Sequence, residues 1–107
     1  MAASETGSED LPPIAGIDRL IHEPARLMIM AYLYVVESAD FLFLMRQAGL
    51  TAGNLSSHTS KLEAAGYIEV VKEFVDRKPH TMLRLTGAGR DAFREYRKSM
   101  MRMLLVR

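Results

Sequence analysis

Asn54, Ser57, His58 and Lys61 follow one another at intervals of three, one and three residues. On a helix that spacing gathers an amide, a hydroxyl, an imidazole and an ammonium group on one side. The stripe carries no carboxylate, and groups of these types hydrogen-bond the base edges displayed in a DNA major groove. Leu55, Thr59, Leu62 and Ala65, at intervals of four, three and three, form a second stripe that faces inward. Thr51 supplies an N-cap, and Gly66 ends the helix where a left-handed residue is wanted. A polar stripe by itself also describes a solvated helix face, so the elements that position this one decide its meaning.

Asp40 is suited to cap a preceding helix, with Phe41, Leu44, Met45 and Ala48 on one face and Gly49 as terminator. Only Leu50 and Thr51 separate that glycine from the polar helix, which is the spacing of a helix-turn-helix whose second helix enters the major groove. Further upstream, Leu27 to Val36 is unbroken apolar sequence (LMIMAYLYVV), and Pro24 fits the first turn of a helix because its missing N–H has no partner there. Length and methionine content favour a buried central helix, against which Val35-Val36 argues weakly. Ile14, Ile17, Leu20 and Ile21 predict a short amphipathic helix before it.

After Gly66 the period changes to two. Ile68, Val70 and Phe74 alternate with Glu69, Val71, Glu73 and Val75, and Thr81, Leu83 and Leu85 alternate with Met82 and Arg84. Asp76-Arg77-Lys78-Pro79-His80 between them reads as a polar turn that Pro79 keeps out of any ladder. The result is a β-hairpin with a basic tip, read as a wing that lies along phosphates or reaches into the minor groove, rather than as an ordinary exposed turn. Thr86 caps a last helix, weakened at its start by Gly87 and Gly89. There Phe93, Tyr96, Met100 and Met103 repeat at three, four and three residues, and Leu104 and Val106 add apolar surface. Such a seam packs either on the domain's own core or on a second copy; the amount of apolar surface favours a dimer helix.

Composition narrows the alternatives. A chain of 107 residues, 49% hydrophobic, supports one domain with a modest core. With no cysteine there is neither a disulfide framework nor a thiolate metal site, and no cofactor motif is present. No apolar run approaches the roughly 20 residues that cross a bilayer, and the acidic N-terminus is unlike a secretory signal, so a cytoplasmic protein without membrane contact is expected. An enzyme is not expected. His22, His58 and His80 fall on three separate elements, and Gly87-Ala88-Gly89 is too short for a phosphate loop. The net charge of +1 conceals a gradient: Met1 to Glu23 has five acids against one base, a net of −4, and Thr86 to Arg107 has six bases against two acids, a net of +4. The expected division is an acidic, flexible arm over 1–13, a DNA-binding domain over 14–86 and a dimerisation helix over 87–107.

Helix, helix-turn-helix, two-stranded wing and terminal helix is the winged-helix order: mainly α with a small β-hairpin wing, an α+β fold. SSHTSKLEAAGYI resembles the recognition-helix and first-strand signature of ArsR-type and MarR-type regulators, above all the small MarR-like ones. LTAGNL before it, Asp76-Arg77-Lys78 in the wing and LTGAGRDAF extend the likeness over roughly Asp18 to Tyr96. The resemblance implies a homodimer that binds a pseudo-palindromic operator in double-stranded DNA and usually represses transcription. It places Asn54, Ser57, His58 and Lys61 at bases, Thr51 and Ser56 at phosphates, and Arg77, Lys78 and His80 in the wing. The dimer seam would be Phe93, Tyr96, Met100, Met103 and Leu104.

Ser57 and Ser60 stand where relatives often carry a base, and Thr59 where leucine is usual; fewer charges imply a shallower salt dependence. His58 reads equally well as a DNA contact or as a partly buried structural residue. An effector, if any, would have to sit between the dimer helices and the DNA-binding core. A winged helix used for protein–protein contact without specific DNA binding is the alternative that the low net charge supports.

Overall fold

The computed structural model describes residues 16–105. In chain order the elements are α1 (Pro24–Val36), β1 (Ser38–Asp40), α2 (Phe41–Ala48), α3 (Ala52–Ala64), β2 (Ile68–Val75), β3 (Lys78–Leu85) and α4 (Gly87–Leu105). The strands form one antiparallel sheet in the order β1-β3-β2. The expected acidic arm over 1–13 lies outside the described residues, as does Val106.

The helix boundaries follow from caps. Pro24 opens α1, and Glu23 before it accepts from the Arg26 N–H at 2.8 Å. Asp40 caps α2 through the Phe43 N–H at 3.1 Å, and Gly49 closes it at φ 66°. Thr51 caps α3 through the Asn54 N–H at 3.1 Å, and Gly66 turns the chain after it at φ 81°. Both glycines occupy the left-handed region that a side chain disfavours. Thr86 caps α4 by accepting from the Gly89 N–H at 2.9 Å.

Ile21, Ile29, Met30, Leu33, Leu55, Leu62, Ile68 and Leu83 are the large fully buried side chains, so α1 is the central helix around which α3 and the sheet close. Thr59, also buried on α3, satisfies its hydroxyl by donating to the Ser56 carbonyl at 3.1 Å.

Four expectations are corrected. Within the described part of 14–21 there is a turn instead of an amphipathic helix. The Asp18 carboxylate accepts from the Leu20 and Ile21 N–H groups at 2.9 and 3.2 Å and the His22 N–H donates to the Asp18 carbonyl at 2.9 Å, so the segment is a single capped turn that goes no further. Ile17 and Ile21 reach the core all the same, while Ile14 lies outside the described residues.

The second correction is the wing turn, which shrinks from five residues to two. Asp76 and Arg77, at φ 51° and 67°, make it, with the positive angles of a type I′ hairpin turn, and Val75 pairs with Lys78. Pro79 therefore lies inside β3, opposite Phe74. Pairs alternate between hydrogen-bonded and non-hydrogen-bonded from the turn outward, so Pro79 occupies the second kind and its missing N–H is not required by β2. The short β1 reaches only Met82 to Arg84 and leaves the other side of Pro79 open.

Third, the sheet has a further strand, β1, whose three residues are too few to show a period. Glu37, at φ 71°, turns the chain out of α1 into it.

The last correction concerns Phe93 and Tyr96, which belong to this chain's own core and not to a dimer seam. Each is 6% exposed. The Phe93 ring lies 5.0 Å from that of Tyr34, and the Tyr96 hydroxyl is 2.7 Å from His22 Nδ1. Met100 and Met103 are half-buried against the same core, whereas Leu104 is 72% exposed.

The two glycines at the start of α4 differ in kind. A Cβ on Gly89 would lie 2.0 Å from the Tyr67 carbonyl oxygen, so this helix can approach β2 only where a side chain is missing. At Gly87 a Cβ would meet nothing within 4 Å. Gly89→Ala is expected to lower stability by about 1–3 kcal/mol through overpacking, and Gly87→Ala to raise it by up to about 1 kcal/mol; urea unfolding of the two variants beside the parent checks both signs.

Candidate nucleic-acid interface

The buried positions of α3 determine what it presents. With Leu55, Thr59 and Leu62 inward, the ridge farthest from the core is Gly53, Ser57, Ser60 and Ala64, all exposed and all small. Asn54 and Lys61 are exposed along the edge toward α1, and Ser56 and Glu63 along the edge toward the wing. Thr51, at the N-terminus of the helix, is exposed as well. Small side chains on the outermost ridge let the helix backbone come close to a partner, while the longer polar groups flank the contact.

His58 is set apart from the rest of the expected stripe. It is half-buried against the start of α1, where the Arg26 guanidinium donates to its Nδ1 at 3.1 Å and Glu23 Oε1 lies 3.8 Å away. A guanidinium has no acceptor, so Nδ1 accepts and Nε2–H is the donor left to the ring. The Glu23 carboxyl is held below the usual glutamate range, first by the Arg26 backbone N–H and then by the charge of Arg26. Arg26 also donates from Nε to the Leu20 carbonyl at 2.6 Å, which orients the guanidinium. Nothing in the spacing of Arg26, on a different helix, signals this contact.

In the wing, Arg77 sits in the turn and Lys78 beside it, both exposed, and Lys72 adds a third exposed cation on β2. A non-glycine residue at positive φ costs on the order of 1–2 kcal/mol, and type I′ turns favour glycine at this place. Arg77 thus keeps a charged side chain at the tip against the local backbone preference.

His80 is not at the tip. Its ring donates from Nδ1 to Asp40 Oδ1 at 3.0 Å, while the other oxygen of Asp40 caps α2. One carboxylate thereby joins the helix-turn-helix to the wing, and the His80 hydrogen bond, followed by the Phe43 N–H, holds it below the usual aspartate range.

A groove lined by Phe41, Ser56, Thr59, Ser60, Glu63, Val70, Lys72 and Thr81 separates α3 from the wing. Of the expected site residues, Thr51, Asn54, Ser56, Ser57 and Lys61 are gathered on or beside one exposed helix face, with Arg77 and Lys78 on the neighbouring wing. Ser60, Lys72 and Arg26 join the surroundings of the site. Ser60 becomes visible once the inward residues of α3 are known, and Lys72 once the strand register is known.

Known proteins bear on this geometry. The winged helix DNA-binding domain family matches residues 25–104. The chain belongs to that family. An uncharacterised protein of Methanocaldococcus jannaschii is 35% identical over 78 residues, covering 73% of this chain and 85% of that protein. Among solved structures, a transcriptional regulator homologue from Pyrococcus horikoshii superposes with a TM-score of 0.77 at 30% identity, over 81% of this chain and 86% of the other. A MarR-like transcriptional regulator from Thermotoga maritima shares the fold with a TM-score of 0.61 at 19% identity, over 96% of this chain and 71% of its own. The winged-helix order and the MarR-like resemblance read from the residues agree with these matches. Among the described residues no helix is long and apolar enough to cross a membrane.

The double duty of Asp40 has a measurable consequence. Its folded pKa lies below its unfolded one, so its contribution to stability is full above the ordinary aspartate value and is lost as pH falls through the depressed folded value. Asp40→Ala is expected to cost about 1–2 kcal/mol near neutral pH through the lost cap and the unpaired His80. Asp40→Asn, which keeps an acceptor but cannot titrate, should lose less and show a flatter acid limb in thermal denaturation across pH 2–6, a range chosen to span carboxylate titration.

Proposed function

We propose that this protein is a sequence-specific transcription regulator of double-stranded DNA, acting as a homodimeric repressor in the cytoplasm on a pseudo-palindromic operator. The observation that carries the reading is the outer face of α3: small and polar residues at Thr51, Gly53, Asn54, Ser57, Ser60 and Lys61, exposed beside a wing bearing Lys72, Arg77 and Lys78. A helix with that face enters the major groove, and the cationic wing lies over phosphates or the adjoining minor groove. The likeness to the Pyrococcus horikoshii transcriptional regulator homologue supports the same class of activity, and the Thermotoga maritima MarR-like regulator shares the fold.

Lys61 is the helix's one cation, so readout rests on Asn54, Ser57 and the neighbouring hydroxyls while charge comes mostly from the wing. His58 contributes through Nε2, in a position set by Arg26. Thr51 and Ser56, at the N-terminal end and the wing edge of the helix, suit phosphate contacts.

Selection of bound duplexes from random DNA tests the reading directly: recovery of a two-fold symmetric consensus is the expected result. Lys61→Ala and Arg77→Ala should each weaken binding and lower the slope of log affinity against log salt by about one. Lack of affinity for any duplex at low salt would instead favour a protein-binding role for the same face.

The dimer is proposed to form through the end of α4, where Met101, Leu104 and Leu105 are 54%, 72% and 69% exposed. Leu104→Glu leaves the core untouched and should move the sedimenting species from dimer toward monomer. A parent protein that sediments as a monomer at tens of micromolar, a working range near the affinity scale of weak dimers, would refute the dimer.

A further inference from the structure

One side chain of the wing is explained neither by packing nor by charge. Phe74 is 76% exposed and lies one pair from the turn, across from Pro79. Alternation along the strands places Phe74 on the same face as Ile68, Val70 and Lys72, and Pro79 on the same face as Thr81, Leu83 and Leu85. At the root of the wing that face is core, with Ile68, Leu83 and Leu85 buried. In the middle it forms, through Val70, Lys72 and Thr81, one wall of the groove facing α3. At the end it presents Phe74 and Pro79. The aromatic ring is therefore carried on the side of the wing that turns toward whatever α3 contacts.

The surroundings select the occupant. Lys72 lies on the ring's own face of the hairpin and Arg77 in the adjoining turn beside Asp76, while Lys78 and Glu73 both lie on the opposite face. A protruding aromatic side chain whose own face carries Lys72 and no carboxylate, with Arg77 at the tip, fits a polyanion whose interior is apolar and stacked, which describes a DNA duplex better than a protein surface.

Resting on the DNA-binding reading above, we infer that Phe74 is a wedge that enters the minor groove beside the recognition half-site, partly unstacks one base step and bends the duplex, while Arg77 and Lys78 hold the flanking phosphates. The two-residue turn with both φ angles positive, 51° and 67°, keeps the tip narrow enough to approach a groove about 6 Å wide. Unstacking is least costly at pyrimidine–purine steps, so the wedge adds a preference for such a step at a fixed distance from the bases read by α3.

The test uses the full chain and the duplex enriched by selection, carrying 2-aminopurine at successive positions along its flank. The parent should brighten the probe at one step, in the place where the selected sequences show a pyrimidine–purine preference. Phe74→Ala, at a site too exposed to disturb folding, should abolish the brightening and weaken binding by about tenfold, a loss within the range of one base–aromatic contact. Phe74→Leu should retain part of both. Lys78→Ala should weaken binding yet keep the brightening at saturating protein, which separates wedge from charge. A parent that binds but brightens no position, or a Phe74→Ala variant that matches the parent in both readouts, overturns the wedge and leaves the DNA-binding reading standing. A parent that binds no duplex overturns both.

Discussion

The inward seating of α3 by Leu55 and Leu62 is the constraint on which the rest of the molecule depends. Both side chains are fully buried, and each is worth about 1.5–3 kcal/mol relative to exposure. A 13-residue helix with Gly53 and three serines is marginal in water by itself. The two leucines therefore decide both that the helix exists and how it is rotated, with Thr59 between them filling the same stripe and bonding its hydroxyl back to Ser56. Rotation in turn sets the outer ridge of small residues and brings His58 against Arg26 instead of leaving it in solvent.

The wing depends on that seating through a second link. Asp40 uses one oxygen to start α2 and the other to hold His80 on β3, so the helix-turn-helix and the wing share a single carboxylate. Among the described residues the hairpin beyond His80 has no such tether. What extends past it is cationic and aromatic, on a turn that accepts unfavourable backbone angles at Asp76 and Arg77. Three cations beside α3 thereby stand on the arm, at Lys72, Arg77 and Lys78, against Lys61 on the helix.

At the other end of the chain α4 divides along its length. Its first turns are drawn onto β2 by the absence of a side chain at Gly89, and Phe93 and Tyr96 complete the core with Tyr34 and His22. Tyr67, whose hydroxyl is pushed up to about 12 first by its hydrogen bond to Asp18, ties the segment before α1 to the same junction. The last turns carry Met101, Leu104 and Leu105 beyond the core. A heptad-like repeat thus serves two surfaces in succession, the chain's own interior and an open apolar end.

Local signals sufficed for the helix-turn-helix, the hairpin and the terminal helix, the caps at Asp40, Thr51 and Thr86, the left-handed glycines at 49 and 66, and the Leu55–Thr59–Leu62 stripe of α3, because each depends on residues within one or two turns of one another. The features that escaped depend on distant partners or on competing local bonds. The helix expected before α1 shortens to one turn, capped by the Asp18 carboxylate and closed by the His22 N–H on the Asp18 carbonyl. β1 was too short to show a period and exists only because β3 lies alongside. Pro79 was admitted to a strand by a two-residue turn whose register no composition rule specifies. The amphipathic pattern of α4 established that Phe93 and Tyr96 would be covered, but tertiary packing alone decided by what. The side chains available to meet DNA were determined by sequence; which of them stand free, which lean on a neighbour and which project as a wedge were decided by the fold, since exposure is a property of three-dimensional packing and not of spacing along the chain.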